Sequence, residues 1–258
     1  MSSGVSTQTI FNMSEKSKSS SAVNDAKLVM DFFHRHMMHH AMWFAEVSKR
    51  LGRDKAYKAL TEVYQKSMAQ QTNRLARTLG FELIDGVPEP LVRLSDDDRA
   101  RLKESLGINW LASDGIWFQS IEFSEDMKAA KACNDACWAE FSPLEAWSIK
   151  NLLGLEESPG LEGLKQALEY RFYAFVNKQS ITDETDTSFI FRMNDCRVQS
   201  ARKRKGLDDY PCKSAGIIEY STFAETIDSR IKTTCIGCPP DKHPEDWYCS
   251  WKFSLVDM

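Results

Sequence analysis

The sequence predicts an α+β protein in which an N-terminal helical layer packs on a C-terminal domain of helices and antiparallel strands. Three observations carry that expectation. From Asn24 onward Val29, Phe33, His36, His40, Trp43, Phe44, Val47 and Leu51 fall on one face at helical spacing. Apolar residues alternate at strand spacing at Phe189, Phe191 and Met193, and again toward the end of the chain. Between these regions, Trp43-Phe44 recurs as Trp117-Phe118, Ala56 as Ala130, Tyr64 as Trp138 and Leu79-Gly80 as Leu153-Gly154, all at one constant offset, which predicts a duplicated helical hairpin.

Each element follows in order. Residues 1–23 are rich in Ser and lack the apolar centre of a signal peptide, so a disordered tail is expected. The first helix ends at Gly52, and a second spans about Asp54 to Leu79, with Tyr57, Leu60, Tyr64, Met68, Gln71, Leu75 and Leu79 on its inner face and Gly80 closing it. So short a turn predicts antiparallel packing. The stretch from Phe81 to Pro90 is a connector, and Ser95-Asp96-Asp97-Asp98 caps a short helix to Leu106. The second hairpin follows and is broken at Ser142-Pro143, since proline cannot donate inside a helix. If each hairpin buries its aromatic face against the other, the two form a four-helix layer with the aromatics inside. Domains are therefore expected at 24–158 for the duplicated helical region and 159–258 for the α+β part.

Beyond Pro159, Leu161, Leu164, Leu168 and Phe172 mark a helix; strands are expected over Val176–Ile181 and Phe189–Met193, with Asp183-Glu184-Thr185-Asp186 as their turn. The basic run Arg202-Lys203-Arg204-Lys205 has no interleaved aromatics and reads as a solvated helix end closed by Gly206. A helix from Ser214 to Ile227 precedes strands over Ile231–Ile236 and Trp247–Leu255, joined by a loop stiffened by three prolines.

Composition narrows the partners. A chain of 258 residues buries a real core, and a formal charge of −4 gives no general reason to bind nucleic acid or an anionic membrane. No apolar run approaches a membrane span, so a cytoplasmic protein is expected, where clustered thiols stay reduced and hold metal or do redox chemistry. Expected partners are a small-molecule ligand and, in the assembly, a second copy as a homodimer, with no nucleic acid and no membrane.

Four of the seven cysteines fall between Cys212 and Cys249. Cys235-Ile236-Gly237-Cys238 is a C-x-x-C pair with the turn residues a metal knuckle needs, and Cys212 and Cys249 complete a tetrahedral shell of four sulfurs. Zinc at Cys212, Cys235, Cys238 and Cys249 is the expected cofactor; buried packing thiols are the bland alternative. The Cys238-Pro239 pair also suits an iron-sulfur cluster, with Cys196 replacing one ligand. Of the five histidines, His34, His36, His39 and His40 sit in the first helix; without an acidic neighbour they read as packing or pocket-lining groups. The ligand pocket is expected to be lined by His36, His39, Trp43, Trp117 and Trp138.

The succession of strand hairpin, Cys at a helix start, helix, and terminal hairpin with a C-x-x-C corner and a last Cys resembles the 4-vinyl-reductase domain, over about Phe175 to Phe253. In members that sense aromatic compounds the zinc ligands are a Cys at a helix start, a Glu, a Cys three residues later and a Cys on the last strand. Cys212, Cys235, Cys238 and Cys249 stand at those places, with Cys235 where the family has Glu, and the resemblance implies a zinc-containing small-molecule-binding protein. The helical duplication, Asp195-Cys196-Arg197-Val198-Gln199 and Cys238-Pro239-Pro240-Asp241 also resemble a family of cytosolic bacterial and archaeal proteins sometimes grouped with L-2-amino-thiazoline-4-carboxylic acid hydrolases. No catalytic motif of that group maps onto named residues here. The second functional expectation is accordingly a hydrolase acting on a small sulfur or nitrogen heterocycle, with Cys196 as nucleophile and Arg197 and the basic run favouring its thiolate.

Overall fold

The computed structural model describes residues 7–206 and 209–256, with side chains from residue 21 onward. The chain forms two compact units, Met1–Arg93 and Leu94–Met258. This division falls before the second hairpin, which belongs to the same unit as the sheet.

In the first unit α1 spans Thr7–Leu51 and α2 spans Arg53–Leu79. Helix α1 thus starts well before the periodicity at Asn24, inside the stretch expected as a disordered tail. Gly52, at φ 89°, separates the helices, and Gly80 closes α2 in the left-handed region, its N–H on the Ala76 carbonyl. Phe44 meets Tyr57 at 5.6 Å between centroids and Ala56 is buried, but Val29, Phe33, Trp43, Tyr64 and Leu79 of the expected inner faces are exposed. A two-residue hairpin follows, β1 (Leu83–Ile84) with β2 (Val87–Pro88). Its turn is Asp85-Gly86, both at positive φ, the Asp-Gly chemistry of a tight hairpin turn that lay unread within the connector. The short α3 (Glu89–Val92) ends the unit.

The second unit begins with α4 (Asp96–Ser124), whose Ser95 cap accepts from the Asp98 N–H at 3.1 Å. Helix α4 continues past Leu106, because Gly107 is no stop: a Cβ there would stand 2.8 Å from Val176 Cγ1, so glycine serves close packing. Helix α5 (Met127–Leu153) is capped by Asp126, closes at left-handed Gly154, and continues through Pro143. Ser142 beside that proline donates to the Glu219 carbonyl at 2.6 Å, a buried tie to a helix far along the chain. The two copies share their left-handed closing glycines and the buried Ala56 and Ala130. Their tryptophans differ from the expectation of an aromatic interior: Trp43 and Trp117 are 62% and 68% exposed.

Helix α6 (Gly160–Leu168) and a 3-10 turn (Phe172–Phe175) lead to β3 (Lys178–Thr185) and β4 (Ser188–Asp195). Helices α7 (Arg197–Arg204) and α8 (Lys213–Ile227) come next, then β5 (Ile231–Gly237) and β6 (Cys249–Leu255). The strands make one antiparallel sheet in the order β3-β4-β6-β5. Phe189, Phe191 and Met193 of β4 are buried and the residues between them are not, as their alternation requires. They form one core with Trp251 and Phe253 of β6, Tyr220, Phe223 and Ile227 of α8, and Leu164 and Leu168 of α6. Among the described residues this is a mixed α+β fold with eight α-helices and antiparallel sheets. No described helix is long and apolar enough to cross a membrane.

Candidate ligand cavity

Helix α8 presents one side to the interior through Cys212 at its N-cap, Gly216, Glu219 and Phe223, spaced by four, three and four residues. Gly216 is required where it stands. A Cβ there would be 2.9 Å from Cζ2 of Trp251 and 3.6 Å from the Cys238 sulfur, so the indole lies directly on the helix backbone. Beside this contact is a cavity of about 330 Å3, bounded entirely by residues of the second unit. Phe118, Trp138, Tyr173 and Tyr220 supply aromatic walls; Asp114, Glu219, Gln199 and Asn177 supply polar groups.

One end is lined by thiols. Cys196, Cys212, Cys238 and Cys249 all border the cavity. The sulfurs of Cys212 and Cys238 are 3.5 Å apart. Cys238, 1% exposed, is hydrogen bonded to Cys212, and the neighbouring thiols of Cys212 and Cys249 together with burial hold its proton on. Cys212 is shifted the other way: the bond from Cys238 lowers its value against the cost of burial, helped by Gln199 Nε2 at 3.6 Å. Gln199, itself fully buried, also donates to the Tyr210 carbonyl and accepts from the Tyr210 N–H, at 2.9 and 2.8 Å, and so fixes the segment leading into Cys212.

Of the four expected zinc ligands, Cys212, Cys238 and Cys249 border the cavity and Cys235 does not. Cys235 is half-buried in β5, opposite Trp251, where it packs at the edge of the core and does not border the cavity. Among the described residues no group of three or more His, Cys, Asp or Glu is arranged to hold a metal ion. A bulge between Cys235 and Gly237 separates the two members of the C-x-x-C pair, with Cys235 within β5 and Cys238 just after it. Cys196 also departs from expectation, since burial pushes its thiol up to about 12 and the basic run does not offset this.

Of the five expected pocket residues, Trp138 borders the cavity. Trp117 does not, because successive residues on α4 point about 100° apart and the inward place belongs to Phe118, which meets Tyr210 edge-on at 5.3 Å. His36, His39 and Trp43 lie in the first unit at exposed positions of α1 and do not border the cavity.

The charged interior beside the cavity was not foreseen. Arg171, 1% exposed, donates from Nε to Glu145 Oε2 at 2.9 Å and from Nη2 to Glu219 Oε1 at 2.6 Å. Its guanidinium lies 4.7 Å from the Phe223 ring centroid and 5.3 Å from that of Tyr220. Burial opposes its charge, and the two carboxylates outweigh that and keep it ionised. Burial pushes Glu219 up to about 7, against the pull of Arg171. Asp114, across the cavity on α4, is raised by burial as well. The available signal was Glu219 itself, a carboxylate on the stripe of α8 that also carries Gly216 and Phe223.

A helix-backed antiparallel sheet enclosing a thiol-lined, partly acidic cavity defines an α+β protein with an internal small-molecule-sized site. The chain belongs to DUF6125, a family of unknown function whose model matches residues 92–255, more than half of the chain and nearly all of the second unit. No curated protein and no solved structure matches it.

Proposed function

We propose that this chain is a small-molecule-binding protein whose ligand occupies the cavity of the second unit. The observation that carries this is the cavity itself: about 330 Å3, with aromatic walls and a few convergent polar groups, the usual make-up of a ligand site. The likeness of the hairpin, helix and terminal hairpin to the 4-vinyl-reductase domain supports the same reading. Trp138 and Trp251 both border the cavity, so titration of the full chain with a library of aromatic ligands should give saturable quenching of tryptophan fluorescence. Trp138→Phe should lose much of that signal. A library that gives no saturable response removes this reading.

A second reading, a cysteine-dependent hydrolase, is favoured by one arrangement. The Cys212 sulfur accepts from Gln199 at the start of α8, where the helix N-terminus also favours a negative charge, and its thiol neighbour Cys238 is 3.5 Å away. Cys212 is thus a better nucleophile than Cys196. Brief anaerobic alkylation at neutral pH should modify Cys212 before Cys196, and the same preparation should be assayed for metal. About one zinc per chain, with Cys212 protected, would instead support the zinc-containing form of the binding protein, with Cys235 drawn into the shell.

A further inference from the structure

We propose, building on the ligand cavity, that its occupant is a small flat organic cation of the amidinium or protonated aminoaromatic type, held between Glu219 and Asp114 and stacked on the aromatic walls. Three features point to this chemistry. First, the buried charges beside the cavity are unequal: Arg171 is the cation, against carboxyl groups on Glu145 and Glu219. Glu145 uses both oxygens internally, Oε2 on Arg171 and Oε1 on the Phe172 N–H. Glu219 uses Oε1 alone; among the described residues nothing donates to its other oxygen, and the residue borders the cavity. A ligand N–H in the cavity would give that carboxylate a charge-assisted hydrogen bond.

Second, Asp114 reaches the cavity from α4, so carboxyl groups stand on two different walls, close enough that Asp114 disfavours the charge on Glu219. A cation placed there relieves that repulsion. Third, the walls include Phe118, Trp138, Tyr173 and Tyr220, whose π faces attract a flat cation. The basic residues that also border the cavity, Arg202 and Lys205, are half-buried and exposed respectively, where water screens them more than it screens Glu219.

The groups facing Glu219 are Arg171, Glu145, Asp114, Tyr220, Tyr173 and Cys212. Because Glu219 must be ionised to hold a cation, binding should tighten as pH rises from 6 to 8, approaching roughly tenfold per unit below its value and levelling above it.

The probes are benzamidine, its neutral counterpart benzamide and its anionic counterpart benzoate, titrated calorimetrically into the full chain at pH 6 and pH 8. Benzamidine should bind at least tenfold more tightly than either, more so at pH 8. Glu219→Gln keeps the shape and the bond to Arg171 and should weaken benzamidine at least tenfold while sparing benzamide. Asp114→Asn, which leaves the Arg171 cluster intact, should weaken it in the same direction. Preference for benzoate or benzamide, or benzamidine binding indifferent to both substitutions, overturns the cation while leaving the cavity as a ligand site. Silence from all three probes overturns the cation, and silence from the aromatic library as well overturns the ligand cavity.

Discussion

Arg171→Met is expected to destabilise the second unit by about 3–5 kcal/mol, because it leaves two carboxyl groups in the interior with no cation between them. For a unit of this size that corresponds to roughly 6–20 °C in Tm. The wild-type guanidinium satisfies Glu145 and Glu219 together while lying against the faces of Phe223 and Tyr220, so methionine replaces the packing of the stem but none of the charge. The sign of the pH dependence distinguishes this cause from a packing defect. Glu219 is already raised from 4.5 to about 7 by burial, and without Arg171 it rises further. A carboxyl group raised on folding holds its proton in the folded chain while the unfolded chain has released it, so it costs stability increasingly as pH climbs from about 4.5. The loss in Arg171→Met should therefore be largest near neutral pH and shrink toward pH 4, and adding Glu219→Gln should recover part of it. A loss unchanged between pH 4 and pH 7.5 would mean that the cluster is held by packing alone.

Trp251→Ala should cost a similar amount, about 3–5 kcal/mol, for a different reason. Trp251 sits in β6 between Phe191 of β4 and Cys235 of β5, is 1% exposed, and stacks on Tyr220 with centroids 4.7 Å apart. Its ring edge rests on Gly216, so truncation merges a side-chain-sized void with the neighbouring cavity. The partner experiment is Gly216→Ala, which in the wild-type background places a methyl 2.9 Å from the indole and should cost about 1–3 kcal/mol. In the Trp251→Ala background the methyl meets empty space, and most of that cost should vanish. Strict additivity of the two substitutions in denaturant unfolding would show that ring and glycine do not meet.

What the sequence determined by itself is whatever depends on neighbours a few residues apart. The alternation of Phe189, Phe191 and Met193 placed β4 and its buried face, because strand side chains alternate regardless of what covers them. Leu79-Gly80 and Leu153-Gly154 marked two helix ends, because the left-handed residue that closes a helix has little steric cost only in glycine. The same local rules misplaced α4 and α5. The expected end at Leu106 lies inside α4, where the space at Gly107 is needed by Val176 far along the chain, and Pro143 reads as a break although the helix runs through it. The cavity was legible only in fragments, Trp138 and the cysteines Cys196, Cys212, Cys238 and Cys249. Only the tertiary structure could decide that Cys235 does not border the cavity with the other thiols, that Phe118 and not Trp117 faces inward, and that Glu219 and Asp114 border one cavity while Arg171 bonds to Glu219 behind it. Those groups come from separate helices and from the turn before β3, and the cost of burying a charge is set by which partners the fold brings to it, a quantity with no period along the chain.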